Sequence, residues 1–292
     1  MLIVLVALTG CVSTGEKHVD AAKDPAETAK LLAAADEAVS KGNLEAALPL
    51  YSAVLQEQPT AQTWLKSAVI HNRLGHDREA IYAFGRVLAL EPDNVDALEQ
   101  IGLIYVLHEQ VDQAREYLER AIALDPSRWR AHNGLGVLSD TQHDYSAAVA
   151  HYQAALAITP NSAMLLSNAG YSQYLAGDLD TAAATFVKAL SCDTTYAPAR
   201  RNLALLYARK GAYRDAVQLL STVATEAAAY NDVGYVAMLK GDYASAERLL
   251  QEAVDRSPTY YDLAARNLAA VREQLTAPSR LDPVQVGAFE PR

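Results

Sequence analysis

Few residues in this chain have side chains that could do chemistry, and they are scattered. There are two cysteines, Cys11 and Cys192. Cys11 ends a run of ten uncharged residues, MLIVLVALTG, and follows the small Gly10. A thiol in that setting can be alkylated once the chain before it is cut. If Cys11 is consumed that way, Cys192 has no partner within the chain, so disulfides do not frame the fold. Cys192 falls near the end of an apolar-periodic stretch and is expected to be a small packing residue rather than a reactive thiol. Of seven histidines, His143 and His151 stand eight apart, two helical turns, with no third ligand nearby. His71, His76 and His108 fall near expected helix ends. There is no phosphate loop, no G-x-S-x-G, no H-E-x-x-H and no paired-cysteine motif. The carboxylates are spread over expected solvated helix faces. These residue types at these spacings predict no catalysis, no cofactor and no metal.

What must be positioned is therefore a surface, and the composition says by what. The chain has 292 residues, 51% of them hydrophobic, and a formal net charge of −10. Phosphate binding needs a basic stripe, so nucleic acid is a poor partner. Alanine and leucine abound beside only three Phe and two Trp, which suits helices. The opening apolar run is too short for a membrane span, which takes about 20 residues, and has the length of a secretory signal. Leu8-Thr9-Gly10-Cys11 resembles the lipobox of bacterial lipoproteins. That resemblance implies a signal peptide over residues 1–10, cleavage before Cys11, a diacylglyceryl group on its thiol and an acylated, palmitate-type N-terminus. The sequence departs from the pattern in having no Lys or Arg ahead of the run. With Val12 rather than Asp after the cysteine, the resemblance implies the periplasmic face of the outer membrane. Residues 11–27 are polar with no apolar period and read as a flexible tether, with a reach of roughly 20–24 Å.

Beyond the tether the chain repeats itself. One column of small residues holds Ala35, Ala68, Gly102, Gly136, Gly170, Ala204 and Gly234, at intervals of 33, 34, 34, 34, 34 and 30. A second holds Ala47, Ala80, Ala114, Ala148, Ala182, Ala216 and Ala246. A third holds large residues, Tyr51, Phe84, Leu118, Tyr152, Phe186, Leu220 and Leu250. Between the first two columns Gly42, Gly75, Gly177, Gly211 and Gly241 recur, where a first helix must reverse into a second. Prolines such as Pro59, Pro92, Pro126 and Pro160 close units. Apolar spacing of three and four gives two amphipathic helices per unit. No unit can bury its own face, so stacking must build a continuous core. The interval of 30 leaves four residues missing around Thr225 and Glu226. It predicts a shortened second helix and a kink that sets the last two units apart as a module.

Stretches such as ALEQIGLIYVLHEQVDQAREYLERAIALDPS resemble the tetratricopeptide repeat family. The resemblance implies an all-α solenoid: a right-handed superhelix of about seven helix-turn-helix units over residues 28–260, then a capping helix over 261–275. The tail, 276–292, holds three prolines and no period and is expected to be disordered. In that family the first helix of each unit lines a concave groove. The register places Leu65, Val69 and Asn72 there, then Glu99, Leu103 and Val106, then Asn133, Val137 and Asp140. Further on, it places Tyr171, Tyr174, Arg201, Leu205, Asn231, Tyr235 and Met238. Tyr, Arg and Met suit an interface, and Asn side chains could pair with a peptide backbone. Tyr171 and Tyr235 each follow the small column by one residue and could instead fill space between helices. The candidate peptide-binding set is Asn133, Tyr171, Tyr174, Arg201, Leu205, Asn231, Tyr235 and Met238. The family's basic clamp for a C-terminal carboxylate is not matched, which favours an apolar or amphipathic peptide.

The stretch YNDVGYVAMLKGDYASAERLLQEAVDRSPTYYDLAARNL resembles the TadD lipoproteins of tight-adherence (Flp) pilus assembly. That resemblance implies a pilotin-like scaffold, not an enzyme. Its partner would be the outer-membrane secretin or another pilus-assembly protein, and its lipid on Cys11 would sit in the membrane. A pilotin-like lipoprotein of a type IV pilus and a periplasmic scaffold for polysaccharide export or envelope assembly stand as alternatives.

Overall fold

The computed structural model describes residues 25–259 and 261–276. The expected signal peptide, the lipidation residue Cys11, the tether up to residue 24 and the tail from residue 277 lie outside the described residues. Among those described, the chain forms fifteen α-helices and no strand. The chain divides into two compact units, the first ending at Pro92 and the second starting at Asp93. In the first, α1 (Pro25–Ser40) pairs with α2 (Leu44–Glu57), and α3 (Ala61–Arg73) with α4 (Asp77–Leu90). In the second, α5 (Val95–Leu107) pairs with α6 (Val111–Leu124), α7 (Trp129–Thr141) with α8 (Tyr145–Ile158), and α9 (Ala163–Leu175) with α10 (Leu179–Cys192). There follow α11 (Ala197–Lys210) with α12 (Tyr213–Leu220), α13 (Glu226–Leu239) with α14 (Tyr243–Asp255), and α15 (Asp262–Thr276) against α14. This is the all-α stacked-hairpin fold that the repeat predicts. Residues 25–27, assigned to the tether, are helical instead: Pro25 is well placed to open α1, since its missing N–H is one the first turn cannot use.

Each hairpin reverses through one residue with positive φ. Gly42, Gly75, Gly177, Gly211 and Gly241 take it at 73 to 87°, and in the two remaining hairpins Glu109 (56°) and His143 (61°) do so without being glycine. At the first reversal the N–H of Asn43 returns to the carbonyl of Ala38 and that of Gly42 to Val39, both at 2.9 Å. These bonds satisfy carbonyls that the end of a helix leaves open. The next helix starts on a side-chain cap: Asn43, Asp144, Asp178 and Asp242 each accept the N–H three residues on.

The columns explain how the two helices of a pair meet. A Cβ on Gly136 would lie 2.6 Å from Tyr152, and on Gly170 2.8 Å from Phe186, with Gly102 against Leu118 and Gly234 against Leu250 the same. The third-column side chain thus occupies the space that the first column leaves empty. Tyr51, Phe84, Leu118, Tyr152, Phe186 and Leu250 are at most 1% exposed in consequence.

Two expectations are corrected. Cys192 is exposed, not packed: it is the last residue of α10, three past the buried Ala189. The last two hairpins are not a separate module. The deletion does shorten α12 to eight residues, against 13 or 14 in the other second helices. Yet the division falls at Pro92, and α11, α12 and α13 share one core of Ala204, Ala208, Ala216, Leu220, Ala229 and Val233. Arg256, just past α14, ties that helix to the start of α13. It binds Glu226 (2.9 Å) and Glu252 (2.8 Å) and lies over the ring of Tyr230 at 4.8 Å.

Candidate peptide-binding face

The candidate residues sit on first helices, so the stacking of hairpins sets their spacing. In the second unit, polar side chains join one first helix to the next. Asn168 Nδ2 donates to Asn133 Oδ1 at 2.9 Å, linking α7 to α9. Asn202 Nδ2 donates to Ser167 Oγ at 3.4 Å, linking α9 to α11. Asn267 Nδ2 donates to Asn231 Oδ1 at 3.0 Å, linking α13 to α15. Between α11 and α13 the link is electrostatic, Arg201 facing Asp232. Partners stand 35 or 36 residues apart. That offset of one repeat plus one or two residues is the sequence signal that could have revealed Asn168, Asn202 and Asn267.

This changes the role of two predicted residues. Asn231 is 2% exposed; its Oδ1 accepts from Asn267 and its Nδ2 donates to Asp232 Oδ1 at 3.1 Å. It ties helices together and is closed to a peptide. Asn133 is half-buried with its Oδ1 engaged by Asn168.

The remaining six present a mixed apolar and cationic surface. Tyr171 and Tyr174, one turn apart on α9, stack with ring centroids 6.1 Å apart and planes at 18°. Both are half-buried against the core of Ala182, Phe186, Leu203 and Leu206. Tyr171 thus fills space between helices, and both rings keep part of their area exposed. Arg209, absent from the predicted set, lies 4.8 Å over the Tyr174 ring. Arg201 is exposed; Leu205, Tyr235 and Met238 are half-buried. Met238 leans on Ala237, Ala246 and Leu268.

The carboxylates of these helices are held inward. Asp140 accepts from Ser172 Oγ (2.7 Å) and Tyr152 Oη (2.8 Å). Burial nevertheless raises its pKa, and it raises those of Asp232 and of Glu99, which lies 3.8 Å from Arg128.

In the first unit the same helix face holds a cleft of about 320 Å³, whose apolar walls are Val39, Leu65, Val69 and Ile70. Leu65 and Val69 had been placed there by register. At its edge Asp36 accepts from Tyr51 Oη (2.6 Å) and from Lys66 Nζ (2.7 Å), which hold its carboxyl below the ordinary range. Among the described residues, no group of three or more His, Cys, Asp and Glu is arranged to hold a metal ion. His143 meets Tyr145 Oη at 3.0 Å, while His151 lies beside His132, ring centroids 6.3 Å apart. Among the same residues no helix is long and apolar enough to cross a membrane.

Stacked helical hairpins with a side-chain-lined first-helix face define a repeat protein of the kind that binds other proteins. The chain belongs to the tetratricopeptide repeat family, whose models match residues 32–97, 100–163, 140–197, 173–236 and 227–257. It is similar to a peroxisomal targeting signal receptor of Eremothecium gossypii, 24% identical over 61% of this chain and 37% of that protein. It is also similar to human tetratricopeptide repeat protein 13, 27% identical over 66% of this chain and 23% of that protein. The chain thus spans well under half the length of these relatives. A tetratricopeptide repeat protein from Parabacteroides merdae shares its fold, with a TM-score of 0.64 at 18% identity over 85% of this chain and 99% of the other. A MamA protein does so with a TM-score of 0.53 at 24% identity over 57% and 92%.

Proposed function

We propose that this protein is a lipid-anchored, non-enzymatic scaffold whose first helices hold a peptide segment of a partner, in the assembly of a tight-adherence pilus secretin channel. The observation that carries the peptide-holding part is the stacked Tyr171–Tyr174 pair, half-buried, with Arg209 over the Tyr174 ring. Rigid aromatic area beside a guanidinium is what partner surfaces use for anchoring. Family membership supports a binding role. The anchor and its site, the periplasmic face of the outer membrane, rest on the Leu8–Cys11 motif, and the pilus role on the resemblance of residues 230–268 to the TadD lipoproteins. Two or more acyl chains hold a protein at a membrane stably, where one gives only K of about 10⁴ M⁻¹.

Copurification from membranes tests the reading. The protein with Cys11 intact should retain a secretin or pilus-assembly protein, and Y171A/Y174A should lose it while unfolding at an unchanged temperature. Retention by Y171A/Y174A moves the site elsewhere. C11S should appear in the soluble fraction; if it stays with membranes, the anchor is wrong.

A further inference from the structure

A second cleft lies on the side of the hairpins formed by second helices and so is distinct from the face just described. It measures about 650 Å³ between α12, α13 and α14. Its apolar walls are Tyr213, Val217, Tyr230 and Leu249. Tyr213 gives its hydroxyl to Asp242 at 3.0 Å, and burial together with that bond pushes its pKa up to about 12. Its ring carries the Lys240 ammonium, 5.3 Å from the centroid.

Counted with Arg256 beside it, this cleft has three arginines to two carboxylates. Its two carboxylates, Glu226 and Glu252, are both taken by Arg256. Its two arginines have no carboxylate. Arg214 is exposed and has no hydrogen bond or ion pair among the described residues. Arg248, also exposed, bonds only within its own helix, to Ser245 Oγ (3.1 Å) and the carbonyl of Ala244 (3.4 Å). In a chain of net charge −10, this is a local reversal of sign with apolar area beneath it. We infer that the α12–α14 cleft is a second binding site, for a peptide segment of a partner that carries acidic side chains alternating with large apolar ones. Apolar side chains would lie on Val217, Leu249 and the edge of Tyr230, and carboxylates would meet the guanidinium groups of Arg214 and Arg248, for which bidentate pairing is the preferred geometry.

The probe is a short fluorescent peptide, amidated at its C-terminus, alternating glutamate with leucine and phenylalanine, compared with the same peptide carrying glutamine. The wild-type chain should bind the glutamate peptide about tenfold more tightly at low salt, and the preference should fall as salt rises. In R214Q/R248Q it should shrink below about twofold with unfolding unchanged, since exposed arginines carry little stability. Y171A/Y174A should keep it. Equal binding of the two peptides by wild type, binding of neither, or a preference that survives R214Q/R248Q overturns the inference. A preference that Y171A/Y174A removes overturns it too, and assigns the charge effect to the first-helix face.

Discussion

Glu109 and His143 show what one backbone angle demands. Five hairpins place glycine at the reversal, and these two do not, although the backbone takes the same left-handed conformation. A side chain there costs about 1–2 kcal/mol, against which the freer unfolded chain of glycine sets part. E109G should therefore raise the stability of the second unit by about 1 kcal/mol, read as the urea midpoint; a lower midpoint would mean that the Glu109 side chain holds something the backbone argument omits. Asp232 poses the opposite question, whether charge there helps. Burial raises its folded pKa above the ordinary value. Its contribution to stability is then fully present below the unfolded value and is lost as pH rises through the folded one. D232N, which can still accept from Asn231, should be more stable than wild type at neutral pH and no more stable near pH 3, where both forms of the carboxyl are protonated (about 3.9 unfolded). A gain that is the same at both pH values would assign the effect to packing.

Among elements, α12 carries the most consequence, because everything that distinguishes it follows from four missing residues. Arg256 ties the end of α14 to the start of α13 through Glu226, Glu252 and Tyr230. R256A should speed amide hydrogen exchange in the first turns of α13 while leaving α9 and α11 unchanged; equal protection in both proteins would mean that the shared α11–α13 core alone holds α13. The deletion and the short helix were legible from the break in spacing. That Arg256 ties α14 to α13 was not, because it depends on a side chain 30 residues downstream of Glu226. The hairpins, their reversals and the small-against-large packing were legible because each column is sampled seven times. The face was less so. Register finds which residues lie on the first-helix side, but not that Asn231 turns toward Asn267 or that Arg209 covers Tyr174, since an amide or a guanidinium has several partners within reach. Cys192 fell to the same limit: one residue at a helix end belongs to no column.

Within each compact unit a hairpin leans on its neighbours in sequence, so stability is a sum of local terms. The two tryptophans report this separately, Trp64 in the first compact unit and Trp129 in the second. In G136A the new Cβ would meet the Tyr152 ring at 2.6 Å, and the bond from Tyr152 to Asp140 restrains that ring from swinging away. An overpacked core of this kind costs about 1–3 kcal/mol. The Trp129 transition, measured with W64F, should move to lower urea, and the Trp64 transition, measured with W129F, should move less. Equal shifts would show one cooperative block.

The ladder that joins first helices has a meaning in time as well as in space. Its partners are 35 or 36 residues apart, so a hairpin can complete its cross-links as soon as one further repeat has followed it. Contacts of such short range form early and quickly. The hairpins from α7 onward can therefore become ordered one after another in the sequence in which they are synthesised, without waiting for the far end.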